Sequence, residues 1–169
     1  MKLKILQYPN EQLRQVARAV DVGPEGLEPY LQDIKNLRDT FRAAHNCIGL
    51  AAPQIGIPLR IIIVDITLKF TETYLMINPV IVKEGAEQQS VRDGCMSVRN
   101  GQWFERTKRP KRLTVEWREE SGAIRRQKFS GLLAAVIHHE VDHLNGVLFI
   151  DRLEAGRLPP PIEPVAEVA

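Results

Sequence analysis

The sequence predicts an α+β domain in which antiparallel β-sheets pack around a central helix, the one that carries residues 139–143. Two observations predict the class. Segments that are rich in β-branched residues, or that alternate apolar with polar, gather in the middle of the chain at 60–66, 74–81, 113–118 and 124–129. Apolar residues at helical spacing flank them, at 29–44 and again at 130–146. Strands and helices are therefore segregated along the chain, which is the pattern of an α+β fold and not of repeated βαβ units.

Taken in order, Asn10 to Ala19 can form a short helical turn after Pro9, with Leu13 and Val16 facing inward. Pro29 to Ala44 is a stronger helix, with Tyr30, Ile34, Leu37, Phe41 and Ala44 on one face. His45-Asn46-Cys47 end it and lead into Ile48 to Gly56, a stretch too apolar for an exposed loop yet broken by Gly and Pro. It reads either as a buried turn or as a substrate-binding strand that ends in the amide of Gln54. Arg60 to Ile66 is a strand, and Tyr74 to Ile81 is another, with Asn78-Pro79 marking a bend or an edge. The basic run Arg106 to Arg112 is expected as a solvated loop. Leu113 to Arg118 and Ile124 to Phe129 form a hairpin around Glu120-Ser121-Gly122. Ser130 is the expected N-cap of the last helix, and Asn145-Gly146 its stop. The chain of 169 residues, 44% of them hydrophobic, suits one domain over 1–153, with a flexible Pro-, Ala- and Glu-rich tail over 154–169.

That last helix carries His139-Glu140-Val141-Asp142-His143, an H-E-x-x-H pattern. Residues four apart share a helix face, so His139 and His143 can offer two imidazoles to one metal ion. Glu140 can reach a water acidified by that metal and act as general base. A catalytic site usually has three protein ligands. The metzincin spacing downstream ends on Phe149, which cannot bind a metal. Glu163 stands at a distance suited to a third ligand, but the surrounding prolines preclude the helix that would carry it. An upstream ligand is expected, and Cys95, beside Gly94 in a turn, is a candidate as a thiolate or else a small buried apolar residue.

Three ordered motifs resemble the peptide deformylase family: GLAAPQ at 49–54, DGCMS at 93–97 and HEVDH at 139–143. The similarity extends to Tyr8-Pro9 through Leu13-Arg14, to Ile77-Asn78-Pro79 and to Asp142 through Gly146, covering 1–153. It implies removal of the formyl group from the formyl-methionine of new polypeptides, with release of formate. It implies Cys95, His139 and His143 as ligands of one divalent ion, Glu140 as proton carrier, and Gln54 with the Met96 backbone N–H as oxyanion donors. Fe²⁺ is the metal the family uses, with Zn²⁺, Ni²⁺ or Co²⁺ as substitutes; ligand softness alone favours zinc. The partners implied are N-formyl-methionyl nascent peptides, with transient ribosome association. Ile48, Val91, Leu132 and Val136 are candidates for an apolar methionine slot, Ile48-Gly49-Leu50 for backbone pairing with the peptide, and Arg106 for a place near its backbone. The chain departs from the family pattern at Cys47 (Gly), Asp93 (Glu), Arg99 (Pro) and His138 (Gln). Asp93 is expected to brace the Cys95 loop through Arg106, Arg109 or Arg112.

A net charge of +2 gives no nucleic-acid signature, and no run approaches a membrane span or a signal-peptide core. Only two cysteines, Cys47 and Cys95, fit a reducing compartment, expected to be the cytoplasm. The rival readings are a zinc endopeptidase completed by Glu163 and a non-catalytic metal or peptide-binding module.

Overall fold

The computed structural model describes residues 1–23 and 26–153. In chain order its main elements are α1 (Leu31–Ala43), β1 (Gly49–Ala51), β2 (Ile61–Val64), β3 (Tyr74–Glu84), β4 (Gln88–Gly94), β5 (Phe104–Pro110), β6 (Arg112–Arg118), β7 (Ile124–Ser130) and α2 (Gly131–Leu144). Five strands form one antiparallel sheet in the order β1-β2-β3-β6-β7, and β4 pairs with β5 in a second. Helix α2 touches strands of both sheets.

Strand β2 explains how the layers stack. All four of its side chains are buried, because successive residues of a strand point to opposite faces and both faces are covered. Ile62 and Val64 join Met76, Val115, Phe129, Ile137 and Val141 in the core beneath α2. Ile61 and Ile63 join Ile34, Leu37 and Phe41 in the core beneath α1. Each such side chain contributes about 1.5–3 kcal/mol by leaving water. Helix α2 is thereby surrounded, with every residue from Ala134 to Leu144 buried.

Several expectations change in the fold. The turn after Pro9 is a short 3-10 helix, Glu11–Arg14, capped by the Asn10 side chain. Leu13 is buried, but Val16 is 70% exposed, because the chain extends after Arg14 and buries Ala17 instead. Asn78 does not mark a sheet edge: β3 lies between β2 and β6. It marks a bulge, with φ 51° and a register shift between Ile77 and Val80, while its side-chain amide bonds both backbone groups of Val20 at 2.8 Å. The basic run 106–112 is not a solvated loop but parts of β5 and β6, with Arg109 fully buried. Ser130 occupies the N-cap position of α2 without a side-chain cap bond. Gly146 stops α2 at φ 72°, where a Cβ would overlap the Arg14 carbonyl. The tail expected over 154–169, and Glu163 with it, lies outside the described residues. Among the described residues no helix is long and apolar enough to cross a membrane.

Candidate active site

The helical period brings His139 and His143 to one face of α2, and the turn after β4 brings Cys95 to them. The Nε2 atoms of the two histidines are 3.2 Å apart, and Cys95 Sγ is 3.2 Å from His143 Nε2. The three ligand atoms lie within 4.8 Å of one another, and all three residues are buried. Ligands at about 2.0–2.3 Å from one tetrahedral centre lie about 3.3–3.6 Å apart, so the donor set fits one divalent metal ion. Phe149, where a metzincin would have its third histidine, stacks on the His139 ring at 6.3 Å between centroids.

A buried ionic network sets the orientation of this cluster. Asp93 Oδ1 lies 2.8 Å from His139 Nδ1 and accepts a hydrogen bond from its N–H, which leaves the Nε2 lone pair for a metal. Asp93 Oδ2 accepts from Arg109 Nε and Nη2 at 3.0 and 2.7 Å, and from the Thr107 hydroxyl at 2.9 Å. Arg109 Nη1 donates to Asp142 at 2.5 Å and lies 2.8 Å from His138 Nδ1. Arg152 forks onto both oxygens of Asp142 at 2.6 Å. Burial works against the charge on Asp93, but His139 and Arg109 outweigh it and hold the carboxyl well below its usual range. Of the three arginines open as partners for Asp93, Arg109 makes the contact. Its burial was not readable in a run of basic residues, since nothing local distinguishes it from Lys108 or Arg106.

Glu140 sits beside the cluster with Oε2 buried and without a hydrogen-bond partner among the described residues. Burial pushes its carboxyl up to about 7, with His139 opposing the shift. Gly49 makes room for it, because a Cβ there would overlap Glu140 Oε1 and come within 2.8 Å of Val136 Cγ1. Gln54, in a 3-10 turn (Ala52–Ile55), is fixed by Ala51 N–H donating to its Oε1 at 2.8 Å. Its Nε2 therefore points to Ser97 Oγ at 3.1 Å and to Cys95 Sγ at 3.4 Å. Met96 is held by Gln7, whose Nε2 donates to the Met96 carbonyl at 2.9 Å. These groups border a cavity of about 450 Å³.

The family model described as polypeptide deformylase matches residues 2–157. The chain belongs to the polypeptide deformylase family. It is 43% identical over 152 residues to the peptide deformylase of Pelagibacter ubique, covering 88% of this chain and 84% of that one. The crystal structure of a peptide deformylase from Legionella pneumophila superimposes with a TM-score of 0.82 at 34% identity, covering 92% and 88% of the two chains. A Met-Ala-Ser-bound class I type b peptide deformylase from Acinetobacter baumannii gives 0.81 at 27% identity, covering 90% and 99%. Membership makes the chain an enzyme of the deformylase class, acting on the N-formyl group of nascent peptides.

Within this deformylase fold the cavity gathers most of the residues considered for peptide binding. Ile48, Gly49, Val91, Leu132 and Val136 line it together with Gln54, Cys95, Met96, His139 and Glu140. Leu50 and Arg106 do not. Leu50 is fully buried in the core under α1. Asp65 N–H donates to the Ile48 carbonyl at 3.0 Å, so by the antiparallel alternation the Ile48 carbonyl and the Leu50 backbone face β2, while Gly49 and Ala51 face outward. Arg106 is exposed, with Nη1 3.4 Å from Ser90 Oγ. Its cross-strand partner Arg92 reaches the cavity instead and stacks over Phe104 at 4.7 Å. Cys47 also lines the cavity, and the sequence marked it only as a departure from the family glycine.

Proposed function

We propose that this chain hydrolyses the formyl amide of N-formyl-methionyl nascent peptides at one divalent metal ion held by Cys95, His139 and His143. The observation that carries the reading is the buried Oε2 of Glu140 beside that donor set, without a hydrogen-bond partner among the described residues. A carboxylate left without a partner in a dry site is costly unless a ligand or a reacting group meets it. The bound ion supplies Lewis acidity, acidifying a water and polarising the formyl carbonyl.

Glu140 takes the proton from the attacking water and delivers it to the departing amine. The Gln54 amide and the Met96 backbone N–H stabilise the negative charge that develops on the formyl oxygen; loss of one such donor typically costs about 100- to 1000-fold in rate. Asp93 keeps His139 in the tautomer that leaves Nε2 free, and Arg109 keeps Asp93 ionised. Ile48, Val91, Leu132 and Val136 form the methionine slot, and the outer edge of β1 at Gly49 receives the extended peptide as an added strand. The Met-Ala-Ser bound to the Acinetobacter baumannii relative supports a peptide of that kind in this groove. Fe²⁺ is the assigned native ion, with Zn²⁺, Ni²⁺ or Co²⁺ able to replace it. The catalytic unit spans 1–153 and works in the cytoplasm, in transient contact with ribosomes.

Glu140→Gln tests the assignment. The variant is expected to bind the metal with unchanged stoichiometry, because Glu140 is not a ligand, and to lose most turnover, because an amide cannot carry the proton. Full turnover in that variant overturns the role of Glu140. Loss of metal in it would make Glu140 a ligand.

A further inference from the structure

The outer edge of β1 is not bare. Gly49 and Ala51 are the residues of that strand whose backbones face away from β2, and the Gly49 carbonyl oxygen accepts a hydrogen bond from the Cys47 thiol at 3.0 Å. The next outward-facing group, the Ala51 N–H, is taken by Gln54. An incoming strand would therefore find the Gly49 carbonyl already occupied. Cys47 is 4% exposed, packs in the core under α1 and also borders the cavity lined by Ile48, Gly49 and Glu140. We propose that the Cys47 thiol caps the Gly49 carbonyl in the free enzyme, so that a peptide N–H must compete with it for that oxygen.

The cap follows from chemistry at each atom. A thiol is a weak donor, so its bond to the carbonyl keeps the oxygen satisfied in the free enzyme and yields to a backbone N–H, which donates more strongly. Burial and the neighbouring Glu140 push the Cys47 thiol up to about 12, so it stays protonated and able to donate across the neutral range. A glycine at this position, the residue of the family pattern, has no such donor and leaves the carbonyl to substrate or water. Cys47 is thus a residue that sets the affinity of the groove, with no part in the bond-breaking steps. The proposal rests on the reading of β1 as the docking edge, given above.

Cys47→Ala and Cys47→Ser test it in the metal-loaded full chain. Removing the thiol is expected to lower KM for formyl-Met-Ala-Ser by about two- to threefold, the lower end of the worth of a neutral hydrogen bond, with kcat moving less than KM. Serine restores a hydroxyl donor of similar size, so its KM is expected at or above that of the parent chain. The dissociation constant of the tripeptide Met-Ala-Ser, measured by calorimetry, should fall by the same factor in Cys47→Ala. An unchanged or raised KM and dissociation constant in Cys47→Ala overturns the cap. An equal gain in Cys47→Ser also overturns it, since bulk and not the donor would then be responsible. If the parent chain binds Met-Ala-Ser but releases no formate from formyl-Met-Ala-Ser, the deformylase mechanism falls while the calorimetric comparison still decides the cap. If Met-Ala-Ser binds to neither, both readings fall.

Discussion

Arg109→Met removes the cation at the centre of the site without changing the length of the side chain much. Its guanidinium is fully buried and holds Asp93 through two nitrogens and Asp142 through a third. Breaking a buried pair from one side costs about 3–5 kcal/mol, because a charge is left in a dry place without its partner. Here the lower end applies. Asp142 keeps its fork with Arg152, and Asp93 keeps Thr107 and His139. A loss of about 3 kcal/mol in a domain of this size lowers the melting temperature by about 6–12 °C. The second consequence is at the metal, because Asp93 orients His139. Weakening such a support typically costs about 10- to 100-fold in metal affinity. Urea unfolding of the metal-loaded protein, with m held as a check on two-state behaviour, measures the first effect. Competition against a chelator measures the second. Arg109→Lys keeps a charge but not the fork, and should recover only part of both. A methionine variant within about 1 kcal/mol of the parent, with the same metal affinity, would refute the network as the brace of the site.

Other outcomes follow from single contacts. Gly49→Ala pushes a methyl into Glu140 and Val136, so it should cost about 1–3 kcal/mol of stability and lower kcat more than its unfolding accounts for; normal kinetics and an unchanged urea midpoint would contradict the overlap. Asp65 is buried and accepts from the Thr67 backbone N–H at 2.8 Å and the Thr73 hydroxyl at 2.9 Å; burial raises its pKa, but these bonds outweigh it and hold the carboxyl below its usual range. Its contribution is complete above the unfolded value of about 3.9 and disappears as pH falls through the lowered folded value. Asp65→Asn should therefore lower the stability read from urea unfolding at pH 7 by about 1–2 kcal/mol, and the gap to the parent should close in acid; a gap that stays constant as pH falls would contradict it. Chelation should lower the melting temperature, since Cys95 and α2 are joined through the ion, and Cys95→Ser should bind metal more weakly and shift its preference toward harder ions; equal metal content and melting in that variant would rule Cys95 out as a ligand.

How much could be read in advance depended on whether the signal was local. The His139-Glu140-x-x-His143 face follows from helical geometry alone, and the helices and the β6–β7 hairpin follow from periodicity and turn residues. Cys95 was different. One cysteine in a turn has two ordinary readings, and only the order of three motifs pointed to one of them. Strand β1 has three residues, too few for any alternation, so Ile48 to Gly56 could be taken either as a turn or as a strand. Strands β4 and β5 are rich in charged and polar residues and carry little of the β-branched pattern. Within them, the burial of Arg109 is set by Asp93 and Asp142 from other elements, and a basic run offers no hint of it. Asn78 was readable as an irregularity, but the bulge in a central strand depends on Val20, far away in sequence. Val16 turned outward because the helix it was assigned to ends at Arg14.

The central claim is that Cys95, His139 and His143 hold an ion at which Glu140 carries protons for deformylation. Formate release from formyl-Met-Ala-Ser by anaerobically prepared, Fe²⁺-loaded protein tests it most directly, with acetyl-Met-Ala-Ser as the control. The account predicts stoichiometric formate and a new free amino terminus from the formyl peptide, with far slower reaction of the acetyl peptide, whose extra methyl meets the walls of a narrow site. Cleavage of internal peptide bonds without formate, or no formate from a folded protein carrying one ion per chain, would contradict it.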